Sequence, residues 1–152
     1  MSSMNCLSFH AGMSGHARRN EDWELESSCT LNRILIVEDE ILISMDLACF
    51  LENNGYEIVG LATDGENAVK MATETHPDLI IMDIDLQGSI DGIRAAGMIQ
   101  KKYLPKIIFA SGRSENDPRI QKLLKENISR FIHKPYFNDV VYEKIMEMES
   151  LN

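Results

Sequence analysis

The 152-residue chain has little cysteine, no excess of basic charge and no long apolar run. Each shortage removes a class of function. Its three cysteines, Cys6, Cys29 and Cys49, lack the paired spacing of a closed zinc site, and an odd number points to free thiols in a reducing compartment. Adding His10 and His16 to Cys6 and Cys29 produces no recognised ligand spacing either. Lys and Arg number 15 against 24 Asp and Glu, a net charge of -9. A nucleic-acid-binding surface needs clustered cations, so that class is excluded. No apolar stretch approaches the length of about 20 residues that crosses a bilayer. The Arg18-Arg19 pair leads into Asn20-Glu21-Asp22 and not into an apolar segment, which excludes an export signal. The expectation is a soluble, cytoplasmic protein that binds neither nucleic acid nor membrane.

What is present is enough apolar material, 44%, to build one core, and too little length for two. Residues 1–31 follow neither the helical nor the strand period and are expected to be a disordered leader or an overlong start assignment. From residue 32 to 152 the pattern alternates as one domain. Short apolar runs predict strands over 33–37, 57–62, 79–82, 106–110 and 130–133. Between them, amphipathic spacing predicts helices over 40–54, 65–75, 91–102, a fourth opened by Asp117 and Pro118, and 138–149. The first helix carries Ile43, Leu47, Phe50 and Leu51 as its expected core stripe, with Gly55 at its C-terminal end. Asp64 is placed to cap the second helix, which stops before Pro77.

Strands alternating with helices imply right-handed crossovers and helices on both faces of a parallel sheet. The expected fold class is α/β: a flavodoxin-like, doubly wound, five-stranded parallel sheet of order 2-1-3-4-5, with five helices on two faces. Its switch point lies between strands one and three, at the edge where the carboxyl ends of the strands gather. Those ends carry chemistry. Glu38-Asp39 follows strand one, Asp83 follows strand three, Ser111 follows strand four and Lys134 follows strand five. Three carboxylates in one pocket repel unless a cation joins them, and Mg²⁺ suits carboxylates, waters and phosphate oxygens. A carboxylate can also be a nucleophile that forms an acyl phosphate, with an ammonium and a hydroxyl neutralising the transferring group.

Four segments carry a resemblance. Ile34-Leu35-Ile36-Val37-Glu38-Asp39-Glu40, Leu79-Ile80-Ile81-Met82-Asp83-Ile84-Asp85-Leu86-Gln87-Gly88, Phe109-Ala110-Ser111-Gly112 and Phe131-Ile132-His133-Lys134-Pro135 are similar to the signatures of response-regulator receiver domains. The resemblance covers residues 32–152 and implies a stand-alone receiver of a two-component system. It implies that Asp83 takes a phosphoryl group from the phosphohistidine of a sensor histidine kinase or histidine phosphotransfer protein. Glu38, Asp39, Asp83 and the backbone carbonyl of Asp85 would hold Mg²⁺, Lys134 and Ser111 would bind the phosphoryl group, and Ser111 with Phe131 would form the switch. The Lys134-Pro135 bond is expected to be cis. Ser stands at 111 where Thr is commoner in the family, and Phe at 131 where Tyr is also common. Such a module signals by altered binding of a downstream protein target, with self-association through helix four, strand five and helix five as one form of output. Helix five ends with the chain, so output is expected through a partner and not through catalytic turnover.

The rival is a haloacid-dehalogenase-like phosphatase, with Asp83 as nucleophile and Asp85 as acid/base. It would put Thr or Val two residues after the second Asp, where this chain has Gln87, and its remaining acidic pair late in the chain, whereas Glu38-Asp39 comes first. Beyond the acceptor, Asp85 and Arg113 are expected to pair at the cleft mouth and to tune phosphoryl lifetime. Leu42 and Met45 form, with Cys49, a second apolar row on helix one, which either packs against helix five or docks the kinase. His133 is expected to be an ordinary strand residue facing a helix.

Overall fold

The apolar runs form the strands of one parallel sheet in the computed structural model, which describes residues 30–125 and 129–151. The strands are β1 (Arg33–Val37), β2 (Glu57–Ala62), β3 (Leu79–Asp83), β4 (Lys106–Ser111) and β5 (Ser129–His133), and their order is β2-β1-β3-β4-β5. The helices are α1 (Ile41–Asn53), α2 (Gly65–Thr75), α3 (Gly92–Gln100), α4 (Pro118–Leu124) and α5 (Asn138–Ser150). This is the expected flavodoxin-like arrangement. The expectations for Cys6, His10, His16 and Cys29, and for the leader as far as residue 29, fall outside the described residues. Leu31, assigned to the leader by pattern, is 2% exposed and belongs to the core, and its N–H donates to Glu149 Oε1.

Period two divides the core. Leu35, Val37, Ile80, Met82, Ile107 and Phe109 point to one face, where Ala68 and Ala72 of α2, Ala95, Ala96 and Ile99 of α3 and Ile120 of α4 cover them. Ile34, Ile36, Leu79, Ile81 and Ile108 point to the other, under Leu47 and Leu51 of α1 and Val141, Ile145 and Met148 of α5. β3 is buried along its whole length, as the centre strand of a sheet covered on both faces must be. Truncating a strand isoleucine such as Ile80 to Ala would cost about 2–5 kcal/mol.

The helix ends follow their sequence signals. The side chains of Asp64, Asp91 and Asp117 accept backbone N–H bonds from Asn67, Arg94 and Arg119, capping α2, α3 and α4. Gly55 takes φ +93° just past α1. Gly92 is required for another reason: a Cβ there would lie 2.0 Å from the Asp83 carbonyl oxygen. Glycine thus lets α3 begin directly against the end of β3.

Two expectations are corrected. α1 buries Ser44, Leu47, Ala48 and Leu51, and Ile43 is exposed. The buried stripe is rotated toward Ser44 because its hydroxyl bonds the Ile41 carbonyl at 2.9 Å and needs no water. His133 is exposed at the end of β5 and no helix covers it. Among the described residues, no helix is long and apolar enough to cross a membrane.

Candidate functional site

Strand register assembles the cleft. Val37 pairs with Met82, so Glu38 emerges beside Asp83. Asp83 pairs with Ala110, and Ser111 with His133, so Ser111 and Lys134 follow one step further along. The Lys134 N–H donates to the Ser111 carbonyl at 2.8 Å, and the Ile84 N–H donates to the Ala110 carbonyl at 3.0 Å, which continues the ladder past the strands. The Lys134-Pro135 peptide is cis, as the resemblance implied.

Two polar networks meet at Asp83. In the first, Lys134 Nζ donates to Glu38 Oε2 at 2.6 Å and to Asp83 Oδ2 at 2.8 Å. Glu38 is 3% and Asp83 4% exposed, so both carboxylates face each other almost without water. Burial pushes the Glu38 carboxyl up to about 7, the Asp83 charge adds to the rise, and Lys134 only partly offsets it. Burial also opposes the Lys134 charge, but hydrogen bonds and charges from Asp83 and Glu38 outweigh it and raise that ammonium above its ordinary range. Tyr136, not singled out from the sequence, lies beside this network. Burial, then the Glu38 and Asp83 charges, push its phenol up to about 12. An aromatic two residues past the lysine was its only sequence signal.

In the second network, the Asp85 N–H donates to Asp83 Oδ1 at 2.9 Å. The Asp85 carboxylate accepts from the Ser111 hydroxyl at 2.6 Å and from Arg113 Nε at 2.6 Å. Burial alone would raise the Asp85 carboxyl, but the Ser111 and Arg113 bonds together hold it below the usual carboxylate range. The Asp85–Arg113 pair expected at the cleft mouth is therefore formed. Phe131 is half-buried and, like Leu123 of α4, packs against the cluster that contains Phe109 and Ile120.

Oxygen atoms of Glu38, Asp39 and Asp83 lie within 4.8 Å of one another, the one acidic group of this kind among the described residues. An all-carboxylate donor set of this size fits a hard divalent cation such as Mg²⁺. The single Lys134 ammonium bridges two of the three carboxylates, Glu38 and Asp83, and so offsets one unit of their charge.

Beside the cleft, Leu42, Ile43, Asp46, Tyr136 and Asn138 help to line a cavity of about 510 Å³ that reaches Lys134. Leu42 is 83% and Met45 55% exposed, so the second apolar row of α1 stays in solvent. The contact with α5 is made by Phe50 against Tyr142, ring centroids 6.3 Å apart, and by Asn138 donating to Asp46. A smaller cavity of about 290 Å³ lies over Asp85, Arg113 and Arg119.

Comparison with known proteins agrees with this fold. The profile of the response regulator receiver domain matches residues 34–146. The transcriptional regulatory protein PdtaR of Mycobacterium tuberculosis is 41% identical over 104 residues, 68% of this chain and 50% of PdtaR. This chain thus spans about half the length of that relative. The chemotaxis protein CheY of Bacillus subtilis is 35% identical over 115 residues, 75% of this chain and 94% of CheY. The crystal structure of the response regulator TrrA from Thermotoga maritima, in complex with Mg²⁺ and beryllium fluoride, superposes with a TM-score of 0.65 at 33% identity, covering 77% of this chain and 98% of TrrA. Nothing supports the phosphatase alternative. The Asp85 carboxylate that it needs as acid/base is tied to Ser111 and Arg113.

Proposed function

Because this chain belongs to the response-regulator receiver family, we propose that Asp83 accepts a phosphoryl group from the phosphohistidine of a sensor kinase or phosphotransfer protein. The observation that carries the proposal is the Lys134 ammonium lying 2.8 Å from Asp83 and 2.6 Å from Glu38, with Asp39 completing the acidic group. An Asp83 oxygen attacks phosphorus and forms a P–O bond while the P–N bond breaks. The electron pair returns to the imidazole nitrogen, which takes up a proton. The product is a mixed anhydride on Asp83. Water attacking the same phosphorus later restores the carboxylate and releases inorganic phosphate.

Asp39, Asp83, the Asp85 backbone carbonyl and Glu38, the last directly or through water, are the residues to hold Mg²⁺. When bound, the ion neutralises charge on the transferring group. Lys134 then moves its charge from the carboxylates to the phosphoryl oxygens, and the Ser111 hydroxyl supplies a further contact. The beryllium fluoride that TrrA carries with Mg²⁺ is the corresponding phosphoryl mimic for Asp83.

Output follows from the Ser111–Phe131 pair. A hydroxyl drawn to the phosphoryl group leaves space for the Phe131 ring, which alters the surface of α4, β5 and α5 where a downstream protein, or a second copy of the chain, binds. Leu42, which lines the cavity that reaches Lys134, and Met45, exposed on the same helix, are the docking residues for the phosphodonor protein in the cytoplasm. Replacing both with polar residues should slow transfer from the kinase and spare labelling by acetyl phosphate, which needs no docking surface.

Label transfer from a phosphorylated kinase tests the central claim. Hydroxylamine-sensitive label should appear on the wild-type chain and vanish in Asp83→Asn, since an amide is not a nucleophile. Wild-type labelling of a folded Asp83→Asn protein would move the acceptor elsewhere.

A further inference from the structure

The Ser111 hydroxyl has one proton to give, and here it goes to Asp85. Its Oγ donates to Asp85 Oδ2 at 2.6 Å and accepts from the Arg113 backbone N–H at 3.0 Å. The other Asp85 oxygen accepts from Arg113 Nε at 2.6 Å. Ser111 is 0% exposed, so bulk water offers the hydroxyl no second acceptor. A serine hydroxyl is a single donor and cannot serve Asp85 and a phosphoryl oxygen together.

We propose that the Asp85 side chain is a latch that holds the Ser111 hydroxyl in the resting state and must release it before a phosphoryl group on Asp83 is fully bound. The role belongs to the carboxylate and is separate from that of the Asp85 backbone carbonyl. It rests on Asp83 being the acceptor. Asp85 is thus a positioning residue that acts through Ser111. Two forces open the latch. Phosphoryl oxygens are stronger acceptors than a carboxylate already shared with an arginine. They also repel the Asp85 carboxylate, whose own N–H bonds Asp83 Oδ1 at 2.9 Å. Arg113 works the other way, since its guanidinium steadies the carboxylate where the hydroxyl meets it. Apparent affinity for a phosphoryl group falls by the fraction of molecules whose Ser111 is released, so the latch sets a threshold on activation.

Two measurements test it. In the ligand-free protein, three-bond Hα–Hβ couplings of Ser111 should report one rotamer in the wild type and averaged rotamers in Asp85→Ala. A single unchanged rotamer in that variant would overturn the latch. With Mg²⁺ and beryllium fluoride as the probe, Asp85→Ala should bind about tenfold more tightly than wild type, the scale of one charge-assisted hydrogen bond. Asp85→Asn, which keeps a neutral acceptor oxygen, should fall between. In a Ser111→Ala background the same Asp85→Ala change should give no gain. An equal gain there would overturn the proposal, because Asp85 would then act by charge repulsion alone. A wild-type protein that binds no beryllium fluoride would instead count against Asp83 as acceptor, and the coupling measurement, which needs no ligand, would still decide the latch.

Discussion

The two networks that meet at Asp83 use similar groups in different surroundings. On one side, Lys134 bridges Glu38 and Asp83, whose side chains are 3% and 4% exposed. On the other, Arg113 pairs with Asp85 where the side chains are 51% and 38% exposed. A buried ion pair broken on one side leaves an uncompensated charge, whereas water replaces a lost partner at the surface. Under the proposed function, the buried network is then where chemistry is committed, and the open one is where rate and response can be adjusted at small cost. Ser111 belongs to both, buried itself and bonded to the open side.

The largest effect should come from removing the buried cation. Lys134→Ala deletes one charge from the transferring phosphoryl group, and labelling by kinase or acetyl phosphate should fall about 10²–10³-fold, the loss typical of one preorganised donor. It also leaves Glu38 and Asp83 facing each other. Breaking a buried pair costs about 3–5 kcal/mol, an upper value here because Lys134 is 22% exposed. Mg²⁺ should return part of that stability, so thermal melts with and without Mg²⁺ should diverge more in the variant than in wild type. Equal Mg²⁺ shifts would show that the lysine and the cation do not share the same carboxylates.

Next comes the residue common to both sides. Ser111→Ala removes the hydroxyl and keeps the backbone bond from the Lys134 N–H to the residue 111 carbonyl. Phosphorylation should persist, slowed by the loss of one contact, while phosphorylation-dependent partner binding or self-association should drop about tenfold, the scale of one charge-assisted bond. A variant that responds normally would separate Phe131 from Ser111 and break the switch.

The buried network was also the more legible of the two in the sequence. Apolar runs fixed where strands end, and a parallel sheet collects those ends at one edge, so Glu38, Asp83, Ser111 and Lys134 could be grouped before any coordinates. The Asp85–Arg113 pair could be anticipated from offsets, since each lies two residues beyond a strand-end group. The Ser111–Asp85 bond was not visible, because a hydroxyl's direction depends on which acceptor sits nearest and no pattern records that. α1 shows a different limit. Hydrophobicity alone put Ile43 in the core stripe; instead Ile43 is exposed and Ser44 is buried, its hydroxyl bonded to the Ile41 carbonyl. Gly92 went unread as well, since its need is spatial: a Cβ there would lie 2.0 Å from the Asp83 carbonyl oxygen.

A smaller effect, set by pH, sharpens the contrast from the buried side. Burial raises the Glu38 carboxyl from its usual 4.5 to about 7 in the metal-free fold. A raised folded value means that the fold holds a proton below about pH 7 that the unfolded chain does not hold until about 4.5. Metal-free stability should therefore gain as pH falls through that window and lose as pH rises through 7. Mg²⁺ must displace the same proton, so its apparent affinity should weaken by about tenfold between pH 8 and pH 6. Calorimetric titration at pH 6 and pH 8 checks this, with Glu38→Gln expected to abolish the difference. A pH-independent affinity in the wild type would place Glu38 outside the field of the cation.

The smallest effect should come from the open side. Arg113 and Asp85 meet at 2.6 Å, but both are well exposed, and such a pair is worth only about 0–1 kcal/mol. Arg113→Ala should therefore leave folding and labelling almost unchanged. If the pair shields the acyl phosphate from water, hydrolysis should quicken by no more than about fivefold, the rate equivalent of that energy. High salt should reproduce the effect in the wild type, since exposed charges are screened over about 10 Å at 0.1 M ionic strength. Salt should not quicken hydrolysis further in the variant, where nothing remains to screen. Unchanged hydrolysis in both Arg113→Ala and Asp85→Ala would remove shielding from the open network. Acceleration far above fivefold in Arg113→Ala would erase the difference between the two sides, because an exposed arginine would then be controlling chemistry that burial was taken to reserve for Lys134.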